Sequence, residues 1–451
     1  MKKETLVQTI IIIILAVALG ALLYAAIGAV NDAKSPAGTP KPDGNAQGGP
    51  NGDAEISYSS VEEITEDTTI DNAEYLSQNA DENALSVSGS VTAEVSNASF
   101  GKEGDSDGGD TTSFYGTNSA IIAKDGAKLT LKGIDVTTNA TGANGVFCFG
   151  GSATTQNASS DGTTVTISDS TVTTTKDNSG GIMTTGGGVM NAYNLTISTA
   201  GTSSAAIRTD RGGGTVTVDG GTYTTAGKGS PAVYSTANVT VKNAKLIAKA
   251  SEGIVIEGKN SVTISDCELT DSNTSLNGQS TTYKNIFLYQ SMSGDADAGT
   301  AKFTASGSKI TTNKGDTFYV TNTDATIELS GNTIKNNDPS GNFLRAQADS
   351  WGSEGSNGGK VTLLLKKQSA SGNIVIDSVS TLAMTLQSGS SYEGAINADN
   401  TAKKITLKLD KSSKIKLTGD CYVSSLEDAD ASYSNIDFNG FRLYVNGTAI
   451  N

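Results

Sequence analysis

The sequence lacks histidine altogether and has only three cysteines and six prolines. Histidine is the commonest general base and the commonest zinc ligand, so its absence removes the usual route to acid–base catalysis and to zinc binding. Cys148, Cys267 and Cys421 are far apart and odd in number, which gives no Cys-x-x-Cys metal motif and predicts no disulfide framework. Cys148 and Cys267 follow the alternation of neighbouring apolar residues, so we expect both thiols to face a core.

Positive charge is also scarce, because 32 lysines and arginines stand against 47 acidic residues and leave a formal charge of −15. A partner such as nucleic acid or anionic lipid requires cations that neutralise phosphate, so this balance predicts neither. An acidic balance also keeps a secreted protein soluble. Aromatic residues make up only 6%, and glycine is abundant. This composition suits many short strands joined by tight turns.

What the chain does contain is a repeated phrase of eleven residues, seen in full at Thr164–Thr174, Thr215–Thr225 and Ser261–Asp271. Looser copies begin at Lys128, Asn238, Lys302 and Thr326. The second, fourth and ninth positions are apolar in nearly every copy, and this period of two indicates half-buried strands. Small residues at the fifth to seventh positions predict a turn between two strands.

A third short apolar strand lies between successive copies of the phrase. It reads NSAII at Asn118, GGIMT at Gly180, SAAIR at Ser204, SPAVY at Ser230, EGIVI at Glu252, NIFLY at Asn285, TFYVT at Thr317 and NFLRA at Asn342. The tightest interval between copies is 23 residues, which fits three strands in one coil of a parallel β-helix. The sequence predicts an all-β, single-stranded parallel β-helix with about three strands per coil and a C-terminal cap over residues 85–451, and an N-terminal cap or first coil over residues 55–84.

The N-terminal region has a different character. Residues 1–30 open with two lysines and continue with the apolar run Ile10–Val30, which is long enough to cross a bilayer as a helix with its N-terminus inside. The alternative is a cleaved signal peptide, because small alanines near the end of the run fit a cleavage site. Residues 31–54 hold four of the six prolines among glycine and polar residues and are predicted to be a linker. Both alternatives direct the rest of the chain outside the cell.

The chain resembles a family of adhesin-like, pectin-lyase-like parallel β-helix proteins. The resemblance lies in the order and the residues of the segments SFYGTNSAII, NSGGIMTTGGG, SSAAIRTDRGGGTVTVDGGTYTT, EGIVIEGKNSVTISDC and a closing LYVNG. These proteins occur on the surface of Gram-positive bacteria and related microbes. The resemblance covers roughly residues 113–451. It implies a right-handed coil, in agreement with the general preference of parallel crossovers, and it brings no catalytic residues with it.

Two places in the sequence are candidates for ligand binding. Arg208, Asp210 and Arg211 concentrate charge on a turn, and an arginine pair beside a carboxylate could hold a uronate or phosphate. The alternative is a solvated turn whose arginine and aspartate pair with each other. Trp351, the only tryptophan, lies in a glycine-rich loop where its indole could stack on a sugar or a protein partner. The alternative is a ring folded back over the coil.

One place in the sequence is a candidate for metal binding. Asp105, Asp107 and Asp110 are spaced in the manner of a calcium loop, although the closing glutamate of such a loop is missing. The alternative is an exposed acidic loop. Calcium is therefore the one cofactor that the sequence suggests.

These features predict a non-enzymatic, adhesin-like or structural binding protein at the cell surface, whose partner is a glycan or a surface protein of a host or neighbouring cell. The alternative is a polysaccharide lyase or hydrolase, or a carbohydrate-binding protein without turnover, that acts on acidic glycans. The enzyme hypothesis requires Arg208, Arg211 and nearby carboxylates to converge in one cleft. The adhesin hypothesis is compatible with charges scattered along a wall.

Overall fold

The structure, a computed structural model, describes residues 56–106, 109–153 and 158–451. Within these residues the regular secondary structure is β-strand except for a single helix of six residues, α1 (Asp110–Tyr115). The described part of the chain contains no helix with the length and apolar character of a membrane span. The predicted membrane helix Ile10–Val30 and the linker at 31–54 lie outside the described residues.

The strands fall into three columns, which we call faces A, B and C and which the chain visits in that order. Face A is a twelve-stranded sheet. Its strands are Ser60–Ile64, Asn83–Ser88, Ile121–Lys124, Val146–Phe149, Ile182–Thr185, Ile207–Thr209, Val233–Ser235, Ile254–Glu257, Lys284–Tyr289, Asp316–Thr321, Leu344–Ala346 and Ile374–Ile376. The apolar strand between copies of the phrase therefore forms face A.

Faces B and C together form a sheet of 22 strands, and two long strands, Gly188–Thr199 and Gly214–Thr225, run across both faces. The other strands of face B are Thr68–Asp71, Thr92–Ser96, Lys128–Lys132, Thr164–Ser168, Asn238–Lys242, Ser261–Ser265, Thr300–Ser306, Asp324–Ser330, Lys360–Lys366, Thr381–Gln387, Lys404–Leu409 and Ser425–Asp428. The other strands of face C are Glu74–Ser77, Ser99–Lys102, Asp135–Thr138, Thr171–Thr174, Lys245–Ala248, Glu268–Asp271, Lys309–Thr312 and Thr333–Asn336. A separate four-stranded sheet follows with Ser369–Ser371, Ser391–Gly394, Lys414–Leu417 and Ile436–Asp437.

Each strand pairs with the strand of the same face one passage later, so that copies of the phrase lie in register. Thr164 lies opposite Val189, which in turn lies opposite Thr215. The pairing among the described strands is parallel up to the C-terminal end, where Cys421–Val423 pairs with Leu443–Val445 and an antiparallel hairpin to Thr448–Ala449 closes the chain. The prediction of an all-β chain with long parallel sheets is confirmed, and the arrangement is consistent with a parallel β-helix.

The core is a set of apolar ladders that run along the stack. The residues at the second position of the phrase lie opposite one another in the order Val165, Met190, Val216, Val239, Val262, Phe303 and Ile327. All seven side chains are buried, and each fully buried aliphatic side chain contributes about 1.5–3 kcal/mol. Cys148 and Cys267 belong to the same core, as predicted. Stability therefore depends on contacts between neighbouring passages rather than on any single repeat.

The corner between faces B and C depends on the sixth position of the phrase. Asp169, Asn243 and Asp266 occupy it with φ of 50°, 52° and 54°, and Gly220 with φ of 76°. This left-handed conformation is costly for most residues and is adopted most readily by glycine, asparagine and aspartate. The small residues that predicted a turn are therefore required by its backbone geometry.

The corner between faces C and A carries a ladder of buried hydroxyl groups. The side chains of Thr174, Thr199 and Thr225 each donate a hydrogen bond of 2.5 Å to the carbonyl oxygen five residues later. Each hydroxyl thereby satisfies a backbone acceptor where the chain leaves face C. We call this set the corner threonine ladder.

A groove along face A

The outward side of face A between residues 207 and 346 carries large side chains. Successive outward positions lie opposite one another in the order Arg208, Tyr234, Val255, Phe287, Tyr319 and Arg345. The corresponding positions of the phrase on faces B and C are mostly threonine, serine, lysine and asparagine. Face A is therefore distinguished by aromatic and charged side chains that point away from the core.

Loops inserted between strands stand on both sides of this column. Residues 272–283 connect face C to face A, whereas residues 290–299 and 347–359 connect face A to face B. Between them lies a recess of about 500 Å³, and a second recess of about 300 Å³ shares its lining at Tyr234 and Tyr289. We call these two adjoining recesses the face A groove.

One part of the groove is aromatic. The rings of Phe287 and Tyr289 stack with centroids 4.3 Å apart, and the half-buried indole of Trp351 lies 5.5 Å and 5.2 Å from them. The side-chain amide of Asn357 donates to the carbonyl oxygens of Asp349 and Trp351, at 2.6 Å and 2.9 Å, and so fixes the loop that carries the indole. The sequence-based candidate Trp351 is thus folded over the coil and also lines the recess.

The predicted charge cluster lies in the neighbouring part of the groove. Arg208 donates to the carboxylate of Asp210 at 2.9 Å, and Arg211 donates to Asp295 at 2.7 Å, with its guanidinium 4.1 Å above the ring of Phe114. Arg208, Asp210 and Asp295 all line the smaller recess. The structure therefore brings Arg208 and Asp210 together in one recess, with Arg211 joined to it through Asp295, and each guanidinium is already bound to a carboxylate.

Asp210 is the residue of this cluster with a strongly shifted protonation equilibrium. Its side chain is buried, and burial raises the pKa of the carboxyl to about 6, an effect that the positive charge of Arg208 partly opposes. The backbone N–H of Arg211 donates to the same carboxylate at 3.0 Å. The carboxyl group of Asp210 is thus fixed in position by hydrogen bonds and binds a proton more tightly than an ordinary aspartate does.

Glu257, which sequence reasoning did not single out, lies beneath the floor of the groove. Its carboxylate accepts hydrogen bonds from the hydroxyls of Tyr234 at 2.6 Å, of Tyr289 at 2.9 Å and of Ser291. The side chain is only 1% exposed. Burial, with the charge of Glu257 added, holds the pKa of Tyr234 and of Tyr289 well above the usual value for tyrosine. Both phenols therefore stay protonated and remain donors to this carboxylate.

A second polar cluster that the sequence did not indicate centres on Lys284. This side chain is fully buried, lies 3.8 Å from Glu252 and places its ammonium 4.3 Å from the ring of Phe287. Burial lowers the pKa of Lys284, although Glu252 counteracts the shift. Further along face A, Tyr319 donates at 2.5 Å to Asp349. The only sequence signal for these residues was a charged residue at either end of an apolar strand, as in EGIVIEG.

The predicted calcium loop lies at the edge of the same region. Asp107 lies outside the described residues, whereas Asp105 accepts a hydrogen bond from the backbone N–H of Thr141 at 2.7 Å, which lowers its pKa. Asp110 begins α1 and lines the smaller recess. Across 56–106, 109–153 and 158–451, no group of three or more acidic or cysteine side chains is arranged to hold a metal ion. The calcium site stays a prediction.

The separate four-stranded sheet, together with the last strand of face C, lines another recess of about 720 Å³. Small serine side chains line it, and its charged residues include Lys416 and Glu393, which pair at 2.9 Å. The one aromatic residue in its lining, Tyr392, is buried and offers no ring face. The face A groove therefore has the richer chemistry and is the better candidate site.

No protein-family profile, curated protein or solved structure matches the chain, so these comparisons assign it to no family.

Proposed function

We propose that this chain is an adhesin-like binding protein of the cell surface that holds a glycan in the face A groove without cleaving it. In this proposal the described strands form a right-handed, single-stranded parallel β-helix, as the resemblance in the sequence implies. The apolar run Ile10–Val30 would anchor or export it, and residues 31–54 would hold the body off the membrane. A surface protein of another cell is the other partner class that the sequence suggested.

The aromatic part of the groove is the observation that supports this proposal most. The indole of Trp351 and the ring of Tyr289 are half-buried, so part of each ring remains accessible beside a recess. Flat aromatic rings pack well against the C–H faces of sugars, while polar tips take hydrogen bonds. Asn277, Gln279 and Ser280 supply such polar groups in the same lining.

A polysaccharide lyase or hydrolase is the second candidate, favoured by the convergence of Arg208, Asp210 and Asp295 in one recess. A carboxyl with a pKa of about 6, such as that of Asp210, keeps its proton under mildly acidic conditions, and such a carboxyl suits a general acid in that pH range. The binding proposal ranks first because the Asp210 carboxylate is held by Arg208 and by the backbone of Arg211, and is only 5% exposed.

A glycan array with the purified chain, run with and without calcium, tests the proposal. We expect a defined set of glycans to bind. The Trp351→Ala variant should bind them about tenfold more weakly, which corresponds to the loss of about 1.4 kcal/mol of stacking. Tyr193→Ala is the matched control, because Tyr193 is an exposed aromatic residue of face B, 43% accessible and outside the groove.

Product analysis of the bound glycans separates the two candidates. Intact glycans after prolonged incubation support binding without turnover. Depolymerisation that is lost in the Asp210→Asn variant would replace the binding proposal with the enzyme. An array without any bound glycan would leave a protein partner as the remaining function.

A further inference from the structure

The positive and negative charges at the face A groove differ in how they are paired, and this difference affects which ligand the groove can bind. Arg208 lines the groove, and Arg211 and the buried Lys284 lie next to it. Each of these cations has a carboxylate partner, at 2.9 Å (Arg208 to Asp210), 2.7 Å (Arg211 to Asp295) and 3.8 Å (Lys284 to Glu252). Within the described residues, the groove thus offers no lysine or arginine that is free of a carboxylate. An acidic sugar would have to displace one of these carboxylates in order to bind a cation.

One carboxylate beneath the groove, that of Glu257, is in contrast held by neutral donors alone. Glu257 accepts from the hydroxyls of Tyr234, Tyr289 and Ser291, and no lysine or arginine nitrogen of the described chain lies within 4.0 Å of it. Asp349, in the loop beside the groove, also accepts from hydroxyl groups, those of Thr281 at 2.8 Å and Tyr319 at 2.5 Å, but its charge interacts with that of the buried Lys284. Hydroxyl donors stabilise a carboxylate but leave its negative charge in place.

The rings of Tyr234 and Tyr289, whose hydroxyls donate to Glu257, line the recess. A tyrosine hydroxyl that donates to a carboxylate enriches its ring in electrons, and electron-rich rings attract cations to their faces. The chain already uses this interaction, because the ammonium of Lys284 lies 4.3 Å from the ring of Phe287 and 5.0 Å from that of Tyr319. Phe287, Tyr289 and Trp351 all line the recess.

We propose that the face A groove selects a glycan that carries protonated amino groups, with the ammonium held over the rings of Tyr234, Tyr289 and Trp351 and attracted by the charge of Glu257 below them. This inference rests on the proposed function and narrows its ligand from glycans in general to cationic ones. It replaces the expectation of an acidic glycan, which the paired arginines had suggested in the sequence.

Titration calorimetry of the full-length chain with three oligosaccharides of equal length tests the inference. The probes are a glucosamine oligomer with free amines, the N-acetylglucosamine oligomer as its neutral match, and a galacturonate oligomer, all at a pH at which the free amines are protonated. We expect the glucosamine oligomer to bind at least about tenfold more tightly than the other two. Its affinity should fall as salt is raised, whereas the affinity of the neutral oligomer should stay constant.

The matched variant is Glu257→Gln, which keeps the shape of the side chain and an oxygen that accepts from the tyrosine hydroxyls. It should bind the glucosamine oligomer about fivefold to tenfold more weakly than the native chain does, and its affinity for the neutral oligomer should be unchanged. Should this variant fail to fold, the salt dependence of the native chain tests the same claim.

The outcomes separate this inference from the proposed function. Equal or tighter binding of the neutral or the galacturonate oligomer would overturn the selection of cations while leaving glycan binding intact. A glucosamine affinity that is insensitive both to salt and to Glu257→Gln would also overturn it. Failure of all three probes to bind would refute the inference, and the glycan array then decides separately whether the groove binds any glycan.

Discussion

Asp271 lies in the same column as the corner threonine ladder and provides a test of the packing at this corner. It lies one passage beyond Ala248, which lies opposite Thr225, a member of the ladder. Its carboxylate is fully buried, and its hydrogen bonds come from the backbone N–H groups of Asn313 at 3.2 Å and Asn273 at 3.5 Å. Burial raises the pKa of this carboxyl from 3.8 to about 7.

The raised pKa predicts both the sign and the size of an effect on stability. Because the folded state binds the proton more tightly than the unfolded chain, Asp271 favours the folded state at low pH, and this contribution is lost as the pH rises through about 7. A pKa that is higher by about three in the folded state than in the unfolded chain corresponds to about 4 kcal/mol. This is the difference between the contribution of Asp271 to the free energy of unfolding at acidic pH and at alkaline pH. Asp271→Thr replaces the carboxylate with the hydroxyl found elsewhere in the ladder. The variant should therefore be more stable than the native chain by up to about 4 kcal/mol well above pH 7, and by much less under acidic conditions.

Urea denaturation of the native chain and the Asp271→Thr variant, followed at a series of pH values, measures this difference. The free energy of unfolding of the native chain should decline between acidic and alkaline pH, and the variant should lose most of that decline. Asp135→Thr is the control, because Asp135 is an exposed residue of face C that lies opposite Thr171. A variant that is no more stable than the native chain at alkaline pH, or that keeps the full pH dependence, would refute the reasoning.

Two further predictions concern buried side chains. The hydroxyl of Tyr223 is buried and has no hydrogen-bond partner in the described chain, so Tyr223→Phe should raise the free energy of unfolding by about 1 kcal/mol. Tyr392→Phe should lower it by a similar amount, because the hydroxyl of Tyr392 donates to the carbonyl of Gly372 at 2.5 Å, and equal effects of the two variants in the same denaturation assay would contradict this account. Burial raises the pKa of the Cys148 thiol to about 12, and the other two thiols are buried as well, so a thiol reagent should label none of the three before denaturation and all three after it. Rapid labelling of the native chain would argue against the described core.

The period of the sequence was sufficient to predict the stacking of strands. The alternation around Val165 and Val216 placed their side chains in a core, and the structure confirms the ladder that they form. The turn residues at the sixth position were equally informative, because only a few residue types adopt the left-handed backbone found at Asp169. Local pattern determines these features, since each repeat meets a neighbour with the same pattern.

The site was predictable only in part. Arg208, Asp210 and Arg211 are close in sequence, so their charge cluster was visible, but the partner of Arg211 is Asp295, which lies 84 residues further along the chain. Several loop lengths and stacked passages determine that pairing, and no local pattern encodes it. The same holds for Glu257, whose tyrosine partners come from neighbouring passages of face A.

The sequence pattern also did not predict which lysines are buried. Lys284 precedes an apolar strand and would ordinarily be expected in solvent, yet its ammonium is enclosed by Glu252, by the hydroxyl of Ser280 and by the ring of Phe287. Such a cation is tolerated only where partners compensate the loss of water. Those partners are known only once the loop at 272–283 is placed.

The most direct test of the central claim uses the single tryptophan of the chain as a reporter. Trp351 lines the face A groove, so a glycan that binds there should change its fluorescence emission in a saturable way, with the same midpoint as calorimetry. We expect the two midpoints to coincide for every glycan that the array identifies. A glycan that binds by calorimetry but leaves the emission of Trp351 unchanged, and that binds the Trp351→Ala variant with full affinity, would show that the ligand site lies elsewhere.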